Sequence, residues 1–154
     1  MTTQTLPKTD IETSATPAAR AITRHLPTVA RVLLGLVFFV FGLNGFLNFI
    51  PPPTEPMPEA AVKLGTAFME SGYLFQLIKG TEVLAGLLLL SNRFVPLALV
   101  LLAPVVVNIV AFHVFLLPSG LGLSLVLVAL TLYLAWTYRQ VYAPLLTART
   151  RTTR

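Results

Sequence analysis

Cysteine is absent from all 154 residues. That excludes a disulfide framework, a thiolate metal site and a dithiol relay within this chain. Charge is also scarce. Asp, Glu, Lys and Arg make up 11% of the residues, where a soluble domain averages about 25%. No Ser–His–acid set, paired-carboxylate site or nucleotide fingerprint is visible, so the sequence leaves enzymatic activity open. Two histidines and six acidic residues, scattered along the chain, offer too few clustered ligands to claim a metal centre.

Apolar types fill 55% of the chain, and the mean hydropathy is +0.79. A bilayer is the solvent such a composition fits. The net charge of +5 sits mostly in the tails, without a basic stripe carrying interleaved aromatics. Anionic lipid headgroups are therefore the expected partner, and nucleic acid is not.

Residues 1–29 are polar and Thr-rich, with Pro7, Pro17 and Pro27, and read as a flexible tail with a short helical piece near 18–25. The first apolar run starts too late and is too long for a secretory signal peptide. Four spans follow, at about 32–50, 73–90, 94–117 and 121–138, within a transmembrane domain of 30–142. Roughly 20 helical residues cross a hydrocarbon core of ~30 Å. Pro51, Pro52 and Pro53 stop the first span, and Pro118-Ser119-Gly120 divides an uncharged stretch too long for one crossing. Pro104 should kink or loosen the third span. Between the first two spans, Ala61, Leu64 and Phe68 share one helical face. That stretch is either a short interfacial helix or a polar connector.

Lys8, Arg20, Arg24, Arg31, Arg93, Arg139, Arg149, Arg151 and Arg154 fall on one side, and only Lys63 on the other. The positive-inside rule puts both tails, including the basic tail at 143–154, in the cytoplasm. The predicted fold class is an all-α integral membrane four-helix bundle, N-in and C-in, in a bacterial inner membrane.

The second span carries Gln76, Lys79 and Glu82. A charge at mid-bilayer costs about 2.5–3.5 kcal/mol on the gentler insertion scale. Lys79 and Glu82 are spaced i, i+3 and can pair. By helical rise, Lys79 lies ~10 Å and Glu82 ~15 Å below the outer surface, with Asn44 at ~9 Å, Asn108 at ~13 Å and His113 at ~6 Å. One stratum in the outer half thus gathers Asn44, Gln76, Lys79, Glu82, Asn108 and His113. It reads as an outward-facing polar pocket, or as a hydrogen-bond network of the same members. Asn108 and His113 stand ~140° apart around their helix, so both border one pocket only if it wraps that helix or Pro104 twists the register. Gly35, Gly42 and Gly45, and Gly80 with Gly86, suit close helix packing.

The run R-V-L-L-G-L-V-F-F-V-F-G-L-N-G-F at 31–46, the Lys79–x–x–Glu82 pair, and P-V-V-V-N-I-V-A-F-H at 104–113 together resemble the DoxX family of small bacterial four-helix membrane proteins. The resemblance covers about residues 30–138. It implies an inner-membrane bundle and carries over Arg31, Asn44, Lys79, Glu82, Asn108 and His113 as positions of interest. Some family members are linked to oxidoreductase assemblies, one branch resembling the membrane subunit of a thiosulfate:quinone oxidoreductase. No cofactor is evident in the sequence; the resemblance allows a quinone or small lipophilic molecule in the pocket and oxidoreductase subunits as partners, and without cysteine a quinone or a partner must carry any electrons. A homo-oligomer stays open. The alternative is a scaffold or small transporter-like protein in which Lys79–Glu82 is structural.

Overall fold

The computed structural model describes residues 17–146 except Pro53 and Glu55. Every regular element among them is helical. The first helix, α1 (Pro17–Leu47), begins well before the first predicted span. This corrects the reading of 17–29 as flexible tail; residues 1–16 lie outside the described residues. Pro27 removes one backbone donor, yet the helix runs through it. Ala18, Ala19, Ala21 and Leu26, all ahead of Pro27, are strong helix formers.

At its other end α1 stops ahead of the prolines. Asn48 adopts a left-handed conformation, φ +49°, which Asn tolerates better than most residues. Asn44 Oδ1 accepts the Ile50 N–H at 2.7 Å, satisfying a backbone donor just beyond the helix.

The connector resolves into α2 (Glu59–Glu70), opened by Pro58 as the preceding residue. Ala61 is buried, Leu64 and Phe68 are half-buried, and Glu59, Lys63 and Glu70 are exposed. The Lys63–Glu59 ion pair at 2.6 Å is fully on the surface and contributes little stability. Ser71 forms the corner: its hydroxyl donates to Phe68 O at 2.7 Å and accepts the Leu74 N–H at 3.0 Å. Gly72, at φ +76°, completes the turn. The chain bends 90° there into α3 (Leu74–Leu90).

A tight corner with Asn92 and Phe94 in left-handed conformations leads to α4 (Val95–Phe115). One 3-10 turn, Pro118–Gly120, precedes α5 (Leu121–Thr137). The short α6 (Arg139–Tyr142) follows, and a last 3-10 turn, Ala143–Leu146, occupies the start of the predicted basic tail. Residues 147–154 are outside the described residues.

Three helical stretches are each long and apolar enough to cross a membrane: Arg24–Leu47, Val95–Phe115 and Pro118–Thr137. The 17 residues of α3 rise ~26 Å, slightly less than a typical hydrocarbon core. It counts as a fourth crossing only when taken with α2, from which it is bent.

α1 packs along α3, α3 on α4, α4 on α5, and α5 back on α1. Leu34 and Phe38 of α1 meet Ala85 and Leu89 of α3, Ala98, Leu99, Leu102 and Val106 of α4, and Leu127 and Leu134 of α5. In lipid, burying apolar surface yields little, because lipid tails are as apolar as leucine; close packing matters more. The α1–α3 seam meets that demand. A Cβ on Gly86 would lie 2.6 Å from Phe39 N and 2.9 Å from Gly35 O, and one on Gly42 would lie 2.8 Å from Val83 N. A Cβ on Gly80, by contrast, would meet nothing within 4 Å, so Gly80 is not a point of close helix approach.

Polar groups inside the helices are satisfied locally. Ser124 donates to Leu121 O at 2.8 Å and Thr131 to Leu127 O at 2.7 Å, the usual recourse of hydroxyls in helices. Arg31 is buried. Its guanidinium donates to Leu89 O and to Leu90 O at 3.3 Å. Its charge thus stands at the C-terminus of α3, where the unpaired carbonyls and the helix dipole favour a cation. At the same end Tyr142 donates to Pro96 O at 3.0 Å. Burial, and then the neighbouring Tyr138, push its phenol above the usual value, so it stays protonated and remains a donor.

Candidate functional site

Lys79 lies one and a half turns into α3, and Glu82 one turn further. Their side chains meet, with Lys79 Nζ donating to Glu82 Oε2 at 2.8 Å. The two are not equally buried. The Glu82 side chain is 6% exposed and that of Lys79 23%. Glu82 is therefore the fixed member, and the ammonium keeps N–H donors for a further acceptor. Glycine makes room for this arrangement. A Cβ on Gly45 would collide with Lys79 Cγ and Cδ, so the aliphatic stem of Lys79 lies flat against α1 there. Gly42 faces the Cβ of Glu82 in the same way, at 3.0 Å.

The pair borders a cavity of about 460 Å³ between α3 and α4. Ile78, Thr81 and Leu77 of α3 line it, with Leu101, Pro104, Val105 and Ile109 of α4 opposite. Phe68 of α2, with Leu74 and Phe75 at the start of α3, lines its α2 end. A mainly apolar cavity with a few convergent polar groups is the usual form of a small-molecule site.

Four of the six sequence-predicted residues line this cavity: Lys79, Glu82, Asn108 and His113. Asn108 and His113 belong to one broad α4 stripe that also carries Leu101, Pro104, Val105, Ile109 and Phe112. Asn44 and Gln76 do not line it. Asn44 is occupied in capping the end of α1, and Gln76 is exposed on another side of α3. Placing either in the pocket is corrected by these positions. Depth along a helix axis groups residues that the helix turns in different directions.

His113 Nδ1 lies 2.8 Å from Ile109 O. A carbonyl can only accept, so Nδ1 is the donor in this contact. The ring is seated against Gly120, where any Cβ would overlap it. The edge of Phe112 meets it at 5.4 Å between centroids. The sequence marks Gly120 as a turn residue, and its second role as the seat of His113 has no signal there. The aromatic lining, Phe68, Phe75 and Phe112, is equally silent in an apolar chain. Among the described residues no three His, Asp or Glu side chains converge as a metal site would require.

The arrangement can hold a neutral molecule. Lys79 and Glu82 cancel in charge. Donors come from Lys79 and the Asn108 amide, and an acceptor from the Asn108 carbonyl. No protein-family model matches the chain. No solved structure matches it. The chain is similar to uncharacterized protein YwoB of Bacillus subtilis (strain 168), at 28% identity over 128 residues, covering 80% of this chain and 83% of the relative.

Proposed function

We propose that the chain is a DoxX-like inner-membrane protein that crosses the bilayer four times as a helical bundle. Both tails lie in the cytoplasm, and the bundle holds a quinone or a similar small lipophilic molecule. In this reading it is the membrane subunit of a redox-linked assembly. One observation carries the proposal: a hydrogen-bonded charged pair lines an otherwise mainly apolar cavity. Lys79 hydrogen-bonds a carbonyl oxygen of the ligand, and Glu82 holds the ammonium charged and oriented. With no thiol in the chain, electrons reach the ligand from a partner oxidoreductase subunit.

The ligand test is a titration of the wild-type protein in liposomes with a decyl-tailed benzoquinone. Saturable binding is expected. A dialkylbenzene of the same shape, lacking carbonyl oxygens, should not compete. Equal competition by the hydrocarbon would show that Lys79 recognises nothing.

Topology is tested on the same cysteine-free background. Single cysteines at Thr54 and Ser119 should react in intact cells with a membrane-impermeant maleimide, and one at Asn92 should not. The reverse pattern would invert the orientation.

A structural reading of the pair has one contact in its favour. The Lys79 stem fills the notch at Gly45, so the pair also fixes the register of α1 on α3. In that case the protein is a scaffold or a small transporter, and the cavity is incidental.

A further inference from the structure

The cavity wall is uneven in a way that bears on how a ligand enters. At the α2 end it is lined by Phe68, Leu74 and Phe75. Phe68 comes from α2, which lies at 90° to α3 and so sits across the end of the α3–α4 cleft. This is the end that leads to water. The flank of the cleft is different. Leu77 is 60% exposed, and Pro104 and Asn108 are exposed on the facing helix. These three lie within the lengths of α3 and α4, at the level of the ion pair. All three both line the cavity and are exposed, so the cavity reaches the outer surface of the helices at this flank.

We infer that the cavity opens sideways into the bilayer between α3 and α4, and that its ligand is a neutral, membrane-dissolved molecule loaded from the lipid. The inference rests on the ligand-binding reading above and adds the route and the physical class of the ligand. It also replaces an outward-facing mouth with a lateral one. Three features agree with it. The charged groups of the lining, Lys79 and Glu82, neutralise each other, so an ionic, water-borne ligand gains little by entering. Aromatic rings line the end nearest water. The Asn108 amide at the mouth makes no hydrogen bond within the protein among the described residues, and an amide at membrane depth is costly without one. A ligand oxygen passing to Lys79 would meet that amide first.

The absence of cysteine makes the route directly measurable. Asn108→Cys carries a single nitroxide in liposomes, and Leu77→Cys, on the other lip of the mouth, is the second site should the first variant fold poorly. Molecular oxygen concentrates in hydrocarbon, whereas a hydrated nickel chelate is excluded from it. Collisions with oxygen should exceed those with the nickel chelate several-fold at both sites. Equal access, or nickel ahead of oxygen, would mean that the mouth faces water and would overturn lateral loading. This outcome is independent of whether decyl-benzoquinone binds the wild-type protein. Failure of binding there removes the ligand reading, and failure here removes only the route.

Discussion

Lys79→Met should destabilise the protein by about 3–5 kcal/mol, because it strands Glu82, a buried carboxylate, without its partner. The loss is asymmetric. Glu82 has a 6% exposed side chain and its ammonium partner is 2.8 Å away. No other hydrogen bond to its carboxylate is present among the described residues. Replacing both residues with apolar ones of similar volume, Lys79→Met with Glu82→Leu, removes the desolvation cost together with the attraction. Such replacements are often neutral or stabilising by about 1–4 kcal/mol in other proteins. The double variant should therefore recover most of the stability lost by the single one. Thermal unfolding in detergent, followed by circular dichroism, reads both. A single variant as stable as wild type would mean that water reaches Glu82 and that the pair is less buried than the structure shows.

The second large effect is expected at Gly86. A Cβ there would lie 2.6 Å from Phe39 N and 2.8 Å from Phe39 Cα, both backbone atoms of α1. A flexible side chain could turn away from such a contact; a helix backbone cannot. Gly86→Ala must push α1 and α3 apart, and overpacking of this kind typically costs about 1–3 kcal/mol. The displacement would also loosen Gly42 and Gly45 from Glu82 and Lys79. Gly80→Ala is the matched control, since its Cβ meets nothing within 4 Å. It should be neutral or slightly stabilising through helix propensity. Equal unfolding temperatures for the two variants would contradict the proposed seam.

The apolar helices were legible because lipid leaves the chain few choices. Backbone groups within the bilayer must pair within the segment, so long uncharged runs between proline- and arginine-marked breaks read as helices. The pairing of Lys79 with Glu82 was legible for a similar reason, since i, i+3 spacing dictates contact. Other features needed three dimensions. Asn44 shares the depth of Lys79, but its side chain turns to the Ile50 N–H and caps its own helix. Gln76 shares a helix with Lys79, yet its rotation about the axis keeps it off the cavity. The start of α1 was hidden behind Pro27, which marks a break by its local chemistry and is overridden by good helix formers upstream. The seating of His113 on Gly120 joins two residues across a turn, and no periodicity reports it.

The polar residues singled out in the sequence divide by what they touch. Lys79, Glu82, Asn108 and His113 line the cavity. Arg31 and Asn44 serve helix ends: Arg31 caps α3 at the end away from the cavity, and Asn44 caps α1.

The central claim is that the Lys79–Glu82 pair serves a ligand and is not merely a clasp between helices. The double variant Lys79→Met with Glu82→Leu tests it most directly, with unfolding temperature and decyl-benzoquinone affinity measured on one preparation in liposomes. The account predicts a folded protein of near wild-type stability whose quinone affinity falls at least about tenfold, the equivalent of ~1.4 kcal/mol for a lost charge-assisted hydrogen bond. A folded double variant that binds the quinone as tightly as wild type would contradict it.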